Sequence, residues 1–219
     1  QIQRDVRDRV GSLPGVTKVK IDWTELTAEE KATTMATARR NIAERAPVTA
    51  IPATTKVLMI ASGKGGVGKS SVTVNLATAL AATGFKVGVI DADIWGFSVP
   101  RMLGVDGRLE AGEADGRIAP HRQTVGRGEL RIVSMGFLVD DEETALMWRG
   151  LILQRAVRHF LEDVDWGHDL DYLLIDMPPG TGDVQMGLAK LLPRAEMIVV
   201  TTPSLSAQKV AVRAVNMGR

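Results

Sequence analysis

The chain has 219 residues, 45% hydrophobic and 24% charged, with a net charge of +1. That size and mix suit one globular α/β domain with a small appendage, and so small a charge gives electrostatics little hold on nucleic acid or an anionic membrane. Aromatics at 4% leave few platforms for stacking bases, and 0 cysteines exclude disulfides and thiolate metal ligands among these residues. No apolar run reaches the ~18–20 residues of a membrane span. No basic start leads into an apolar signal segment, so a cytoplasmic address is expected. Gln1 stands where an initiator methionine would, and the native start is expected to lie elsewhere.

Residues 1–26 read as a helix, a turn and a strand. Ile2, Val6 and Val10 share one helical face. Leu13, Pro14 and Gly15 signal a turn. Val19, Ile21 and Trp23 then alternate with Lys18, Lys20 and Asp22, the pattern of a half-exposed strand. One helix and one strand cannot bury a core, so this stretch reads as the end of a small α+β domain. Residues 27–55 read as a polar helix over 27–45 and a linker over 46–55. Thr27 and Glu30 are spaced as a capping box. The helix has only a weak apolar stripe from Ala32, Met35, Ile42 and Ala43, and both a solvated spacer and a binding role fit it.

A single domain pattern fills residues 56–219. Lys56 to Ala61 reads as a buried strand, and Ser71 to Thr83 as a helix with Gly84 placed to end it. Between them runs Gly63-Lys64-Gly65-Gly66-Val67-Gly68-Lys69-Ser70, which fits the phosphate-loop pattern G-x-x-x-x-G-K-[ST]. The glycines allow positive φ and leave no Cβ to block a phosphate. Backbone N–H groups from Gly63 through Ser71 can then converge on a β-phosphate, helped by the following helix N-terminus. Lys69 is expected to reach the β- and γ-phosphates, and the Ser70 hydroxyl to sit on Mg²⁺.

Lys86 to Asp91 is a second buried strand, leading into Asp91-Ala92-Asp93. A carboxylate at the carboxyl end of a parallel strand lies beside the phosphate site. The residues alone leave open whether Asp91 or Asp93 positions the attacking water. Residues 104–130, rich in glycine and charge, read as an insertion or loop. Leu130 to Met135 reads as a strand and Leu151 to Leu161 as a helix. Tyr172 to Asp176 is an apolar run ending in Asp, which makes Asp176 the better Mg²⁺ candidate. Asp183 fits the N-cap of a helix over Val184 to Leu192 or a catalytic role. Arg149 fits an interface, a phosphate contact or a surface position. A strand over Ala195 to Thr202 and a helix from about Ser204 complete the chain. Strands alternating with helices argue for a doubly wound, mostly parallel sheet. The three histidines, His121, His159 and His168, share no metal-ligand spacing.

Taken together, the loop with its second lysine Lys64, Asp91-Ala92-Asp93-Ile94-Trp95-Gly96, Trp148-Arg149-Gly150, Asp176-Met177-Pro178-Pro179-Gly180-Thr181-Gly182-Asp183 and Thr201-Thr202-Pro203 resemble the Mrp/ApbC family. These are MinD-like phosphate-loop ATPases with a deviant Walker A loop that carry iron–sulfur clusters. The resemblance covers nearly the whole chain and implies a homodimer in which Lys64 reaches the partner's nucleotide. It also implies ATP and Mg²⁺ as cofactors, favours Asp93 for the water and a place near the metal, and implies a [4Fe–4S] cluster passed to apo iron–sulfur proteins. The family's cluster ligands are a C-x-x-C pair beyond Arg219, so no ligand is expected here. Residues 1–26 resemble the end of an iron–sulfur assembly domain, and truncation at both ends is implied. Nucleic acid and membrane are not expected partners. The rival reading is a MinD/ParA-like positioning switch that binds a membrane or DNA in its ATP state. A nucleotide-gated scaffold with little turnover is a third.

Overall fold

The computed structural model describes residues 2–22, 24, 27, 29–31, 33–34, 37, 49–93, 96–111, 116–138, 150–180, 185, 187–188 and 191–217. The chain divides into two compact units, Gln1–Asn41 and Ile42–Arg219.

In the first unit, helix α1 spans Ile2–Gly11. The turn at Leu13 to Val16 closes with a 3.2 Å backbone bond, and Gly15 takes φ 87° there. Residues 18–22 alternate in exposure as expected, Val19 and Ile21 half-buried between exposed neighbours, yet they join no ladder. A strand needs a partner to satisfy its backbone, and the described residues offer none, so the expected strand is corrected to unpaired chain. Trp23 lies outside the described residues. The capping box forms: Thr27 N–H donates to Glu30 Oε2 at 2.8 Å, and Glu30 N–H to Thr27 Oγ1 at 3.3 Å. Those hydrogen bonds hold the Glu30 carboxyl below its usual range. Of the expected helical stripe, Ala32, Met35, Ile42 and Ala43 lie outside the described residues.

The second unit is built on a six-stranded sheet. Its strands are β1 Lys56–Ala61, β2 Lys86–Asp91, β5 His121–Val125, β6 Gly128–Ser134, β7 Tyr172–Asp176 and β8 Glu196–Val199, with a separate ribbon of β3 Glu110–Ala111 and β4 Ile118–Ala119. The sheet order is β5-β6-β2-β7-β1-β8. All its pairings are parallel except β5 with β6. Helices α2 Lys69–Ala82, α3 Val99–Leu103, α4 Gly150–Glu162 and α5 Leu205–Met217 accompany it. The doubly wound, mostly parallel sheet is therefore as the residues indicate.

Strand alternation decides the two cores. Leu58, Ile60, Val87, Val89 and Leu174 face Val74, Ala77 and Ala81 of α2. Met59, Ala61, Ile90 and Ile175 face Val157, Phe160 and Leu161 of α4, with Trp166. With cover on both faces, the strands carry near-continuous apolar runs. Gly88 lies where a Cβ would come within 2.7 Å of Leu173 and 2.9 Å of Trp166. The absence of a side chain there lets the indole close over the sheet.

The expected insertion or loop over 104–130 is corrected: its described residues include β3, β4, β5 and the start of β6. The β5–β6 hairpin turns through Gly126 and Arg127, with Gly126 at φ 57°. Its alternation was hidden because β5 is an outer strand whose half-buried positions His121 and Gln123 are polar, like the exposed Arg122 and Thr124 between and beside them. Residues 49–55, read as linker, are bonded into the unit. Ala50 N–H donates to Leu161 O at 2.7 Å and Thr55 Oγ1 to Leu170 O at 2.8 Å.

Candidate functional site

Three neighbouring strands end together. β7 lies between β1 and β2, and Asp176 is in register with Ile60 on one side and Asp91 on the other. The glycine loop therefore leaves β1 directly beside the Asp176 carboxylate. Helix α2 starts at Lys69 behind Gly68, which sits at φ 91° and provides no side-chain cap. No acidic residue stands in the first turn. The orphan N–H groups of that turn keep the partial positive charge that attracts an anion.

Lys69 Nζ donates to Asp176 Oδ2 at 2.8 Å, and Ser70 Oγ donates to the same oxygen at 2.5 Å. Asp176 is fully buried and Lys69 nearly so. A buried carboxylate without partners would cost several kcal/mol, a cost that the Lys69 ammonium and the Ser70 hydroxyl offset. Asp93 Oδ2 lies 3.9 Å from Lys69 Nζ. A cleft of about 300 Å³ opens over this group, lined by Gly65, Gly66, Gly68, Lys69, Ser70 and Ser71 of the loop and first turn, with Asp93 and Pro179 opposite. Lys64 is exposed and Val67 half-buried.

The two aspartates after β2 have different surroundings. Asp91 is fully buried, and its carboxylate accepts the N–H of Asp93 and of Val99, each at 3.2 Å, and the Ser134 hydroxyl at 3.3 Å. It thereby fixes both ends of the segment that carries Asp93. Burial first, and the adjacent Asp176 second, push its pKa up to about 8 from an ordinary 3.8, against those hydrogen bonds. Asp93, by contrast, borders the cleft.

The Pro178-Pro179 segment lacks N–H groups of its own. It is held instead by Met177 N–H on Ile60 O at 3.0 Å and Gly180 N–H on Ser62 O at 2.9 Å. Gln185 Nε2 donates to Pro178 O at 2.6 Å from a buried position. Ile94, Trp95, Trp148, Arg149, Thr181, Gly182, Asp183 and Val184 lie outside the described residues. The histidines are apart: His121 packs against Phe137 at 4.6 Å, and His159 pairs with Asp163. Among the described residues, no group of three or more His, Asp or Glu is arranged to hold a metal ion.

One expected role is corrected. Gly63 does not take positive φ; only Gly66 and Gly68 of the loop do. A Cβ on Gly63 would come within 2.6 Å of the Val210 carbonyl carbon and 2.8 Å of Ala211 N. α5 therefore leaves no room for a side chain at Gly63. Gly63→Ala is expected to destabilise the protein by ~1–3 kcal/mol through overpacking, lowering the melting midpoint by several degrees. Thermal unfolding without nucleotide checks this; an unchanged midpoint with weakened nucleotide binding would return Gly63 to the phosphate.

Sequence reasoning missed Thr73 and Gln185. Thr73 Oγ1 donates to Asp176 Oδ1 at 2.7 Å. The signal was its position four residues after Lys69, on the same helical face.

A family model described as NUBPL iron-transfer P-loop NTPase, of the ParA group, matches residues 53–219. Over 215 residues, 98% of the chain, the sequence is 43% identical to an iron–sulfur cluster carrier protein of Mycobacterium leprae. That match takes in 54% of the relative, so the chain spans about half the length of the curated relatives it matches. A nucleotide-binding protein of Archaeoglobus fulgidus, solved in complex with ADP, superimposes with a TM-score of 0.58 at 34% identity, over 74% of this chain and 62% of that one. The cell division ATPase MinD of Pyrococcus furiosus shares the fold with a TM-score of 0.50 at 24% identity, over 73% and 64%. No helix among the described residues is long and apolar enough to cross a membrane.

Proposed function

Because the chain belongs to the NUBPL iron-transfer P-loop NTPases of the ParA group, we propose that it is an ATP-binding, ATP-hydrolysing carrier that assembles iron–sulfur clusters or transfers them to apo-proteins. The observation that carries the reading is the meeting of Lys69, Ser70 and Asp176 beside an uncapped glycine loop. Phosphates bind the loop N–H groups and Lys69, which exchanges the Asp176 carboxylate for phosphate oxygens. That swap replaces one charge-assisted partner with another. Mg²⁺ suits the residues present, because Ser70 Oγ and Asp176 Oδ2 are neighbouring hard oxygen donors, hydrogen-bonded to each other where the cation would take both. When bound, it neutralises charge on the phosphates during transfer.

Asp93 borders the cleft and orients the attacking water, while Asp91 holds the backbone on either side of it. Lys64 is exposed on the loop and free of the cleft lining, as a residue acting on a partner's nucleotide must be. The proposal thus includes a cytoplasmic homodimer with nucleotide near its interface. The cluster is cargo, and with 0 cysteines these residues supply no thiolate ligand for it.

The test is a single-turnover assay on the full-length protein with MgATP, followed by loading with iron and sulfide and incubation with an apo iron–sulfur protein. Stoichiometric phosphate release and reconstitution of the acceptor are expected. Absence of phosphate release would leave a scaffold rather than an enzyme. Phosphate release without any cluster transfer would return the surface-positioning reading.

A further inference from the structure

We propose that Thr73 is a positioning residue that makes the Asp176 carboxylate a one-oxygen ligand and so selects Mg²⁺ over Ca²⁺ at the nucleotide's metal. The inference rests on the Mg-nucleotide reading above and adds to it the device that sets metal preference.

Thr73 is fully buried on α2, one turn past Lys69. Its Oγ1 lies 3.1 Å from Lys69 O and 2.7 Å from Asp176 Oδ1. A threonine hydroxyl has one hydrogen to give. In a helix its ordinary acceptor is the carbonyl four residues back. Here the carboxylate competes, and a hydrogen bond to a charged acceptor is shorter and roughly twice as strong. The shorter distance agrees, so the hydrogen goes to Asp176 Oδ1.

The two oxygens of Asp176 are thereby divided. Oδ1 is engaged inside the protein by Thr73. Oδ2 faces the cleft side, shared by Lys69 at 2.8 Å and Ser70 at 2.5 Å. A cation using the Ser70 hydroxyl meets Oδ2. To take both oxygens it must compete with the Thr73 hydrogen at Oδ1, and turning that hydrogen back to Lys69 O exchanges a charged acceptor for a weaker neutral one. Ca²⁺ binds 6–8 oxygens and often takes carboxylates through both, whereas Mg²⁺ demands near-octahedral geometry with few protein ligands. Engaging Oδ1 therefore penalises the larger ion. It also pins the rotamer of a residue whose partners otherwise come from one helix turn, as outer hydrogen bonds do at other metal sites.

The experiment titrates Mg²⁺ and Ca²⁺ into full-length protein with a fluorescent ADP, reading nucleotide binding rather than turnover. Thr73→Val removes the hydroxyl at nearly constant shape, and Thr73→Ser keeps it. Loss of an outer-shell partner costs ~10–100-fold in metal affinity. We expect Thr73→Val to lose at least ~10-fold in Mg²⁺ preference over Ca²⁺, and Thr73→Ser to retain it. Should the valine unseat α2, as judged by thermal unfolding without nucleotide, Thr73→Ala repeats the measurement. A preference ratio unchanged in the variants, with both ions weakened equally, would reduce Thr73 to a purely structural partner and overturn the proposal. If the wild-type protein binds ADP with no dependence on either ion, the Mg-nucleotide reading itself fails, and this inference with it.

Discussion

Lys64→Ala is expected to bind nucleotide nearly as well as wild type and to lose most of its turnover. A cation donated across an interface is worth ~10³–10⁵ in rate where such fingers act, because it meets charge that develops only in the transition state. Lys64 suits that description. It is exposed, while the phosphate-facing positions of its own loop are filled by Gly65, Gly66, Gly68 and Lys69. Single-turnover hydrolysis with a parallel binding titration checks the split. Equal losses in binding and turnover would point to a role within its own subunit. A mixing experiment is sharper. Subunits carrying Lys64→Ala and subunits carrying Lys69→Ala are each expected to be inactive alone. Mixed, they form one composite site with an intact Lys69 from one chain and an intact Lys64 from the other. Partial recovery of turnover follows only if Lys64 works across the interface; no recovery argues against it.

Lys69→Ala is expected to abolish hydrolysis and also to destabilise the protein before any nucleotide is added. Its ammonium is the cationic partner, at 2.8 Å, of a carboxylate with no solvent exposure. Removing one member of a buried pair typically costs ~3–5 kcal/mol. The Ser70 and Thr73 hydroxyls remain on Asp176 and offset part of that. The two effects can be separated. Lys69→Met combined with Asp176→Asn removes both charges, so most of the melting temperature is expected to return while activity stays absent. Hydrolysis by Lys69→Ala at the wild-type rate would remove Lys69 from the chemistry, and wild-type thermal stability would mean the pair contributes little.

The parts of the site that could be read from the chain are those whose chemistry needs a fixed local spacing. Gly63 to Ser70 states its loop outright, and Asp176 ends an apolar run of the length of a strand. Asp91 and Asp93 could not be told apart, because two residues on, the chain has already left the strand. Their difference is whether a side chain turns back to bond Asp93 N–H and Val99 N–H or borders the cleft. Thr73 gave only its spacing from Lys69 as a signal, and a threonine in a largely apolar helix looks like filler until a residue 103 positions away lies over it. Val19 and Ile21 had the right alternation, but pairing is decided by a neighbour that alternation does not contain. At β5 the opposite happened: β6 was legible over Leu130 to Met135, but polar residues at the half-buried positions of its outer neighbour masked the ladder. Gly63 could be read only as part of its loop, because its crowding comes from Val210 and Ala211 of a helix far along the chain.

That crowding has a mechanical side. Where the loop meets α5 at Val210 and Ala211, Gly63 lies against main chain and the stiff, β-branched Val210 side chain, with no side chain of its own to bend or change rotamer. Dense packing of this kind is stiff and passes displacement on rather than absorbing it. The contact is a fulcrum: a rearrangement of the loop of a few tenths of an ångström has to be taken up by the helix as a rigid tilt. Its outer flank bears Leu205 and Val212, both exposed. A lever with one end at the phosphates and the other at the surface lets anything that grips that flank feel, and resist, what the loop is holding.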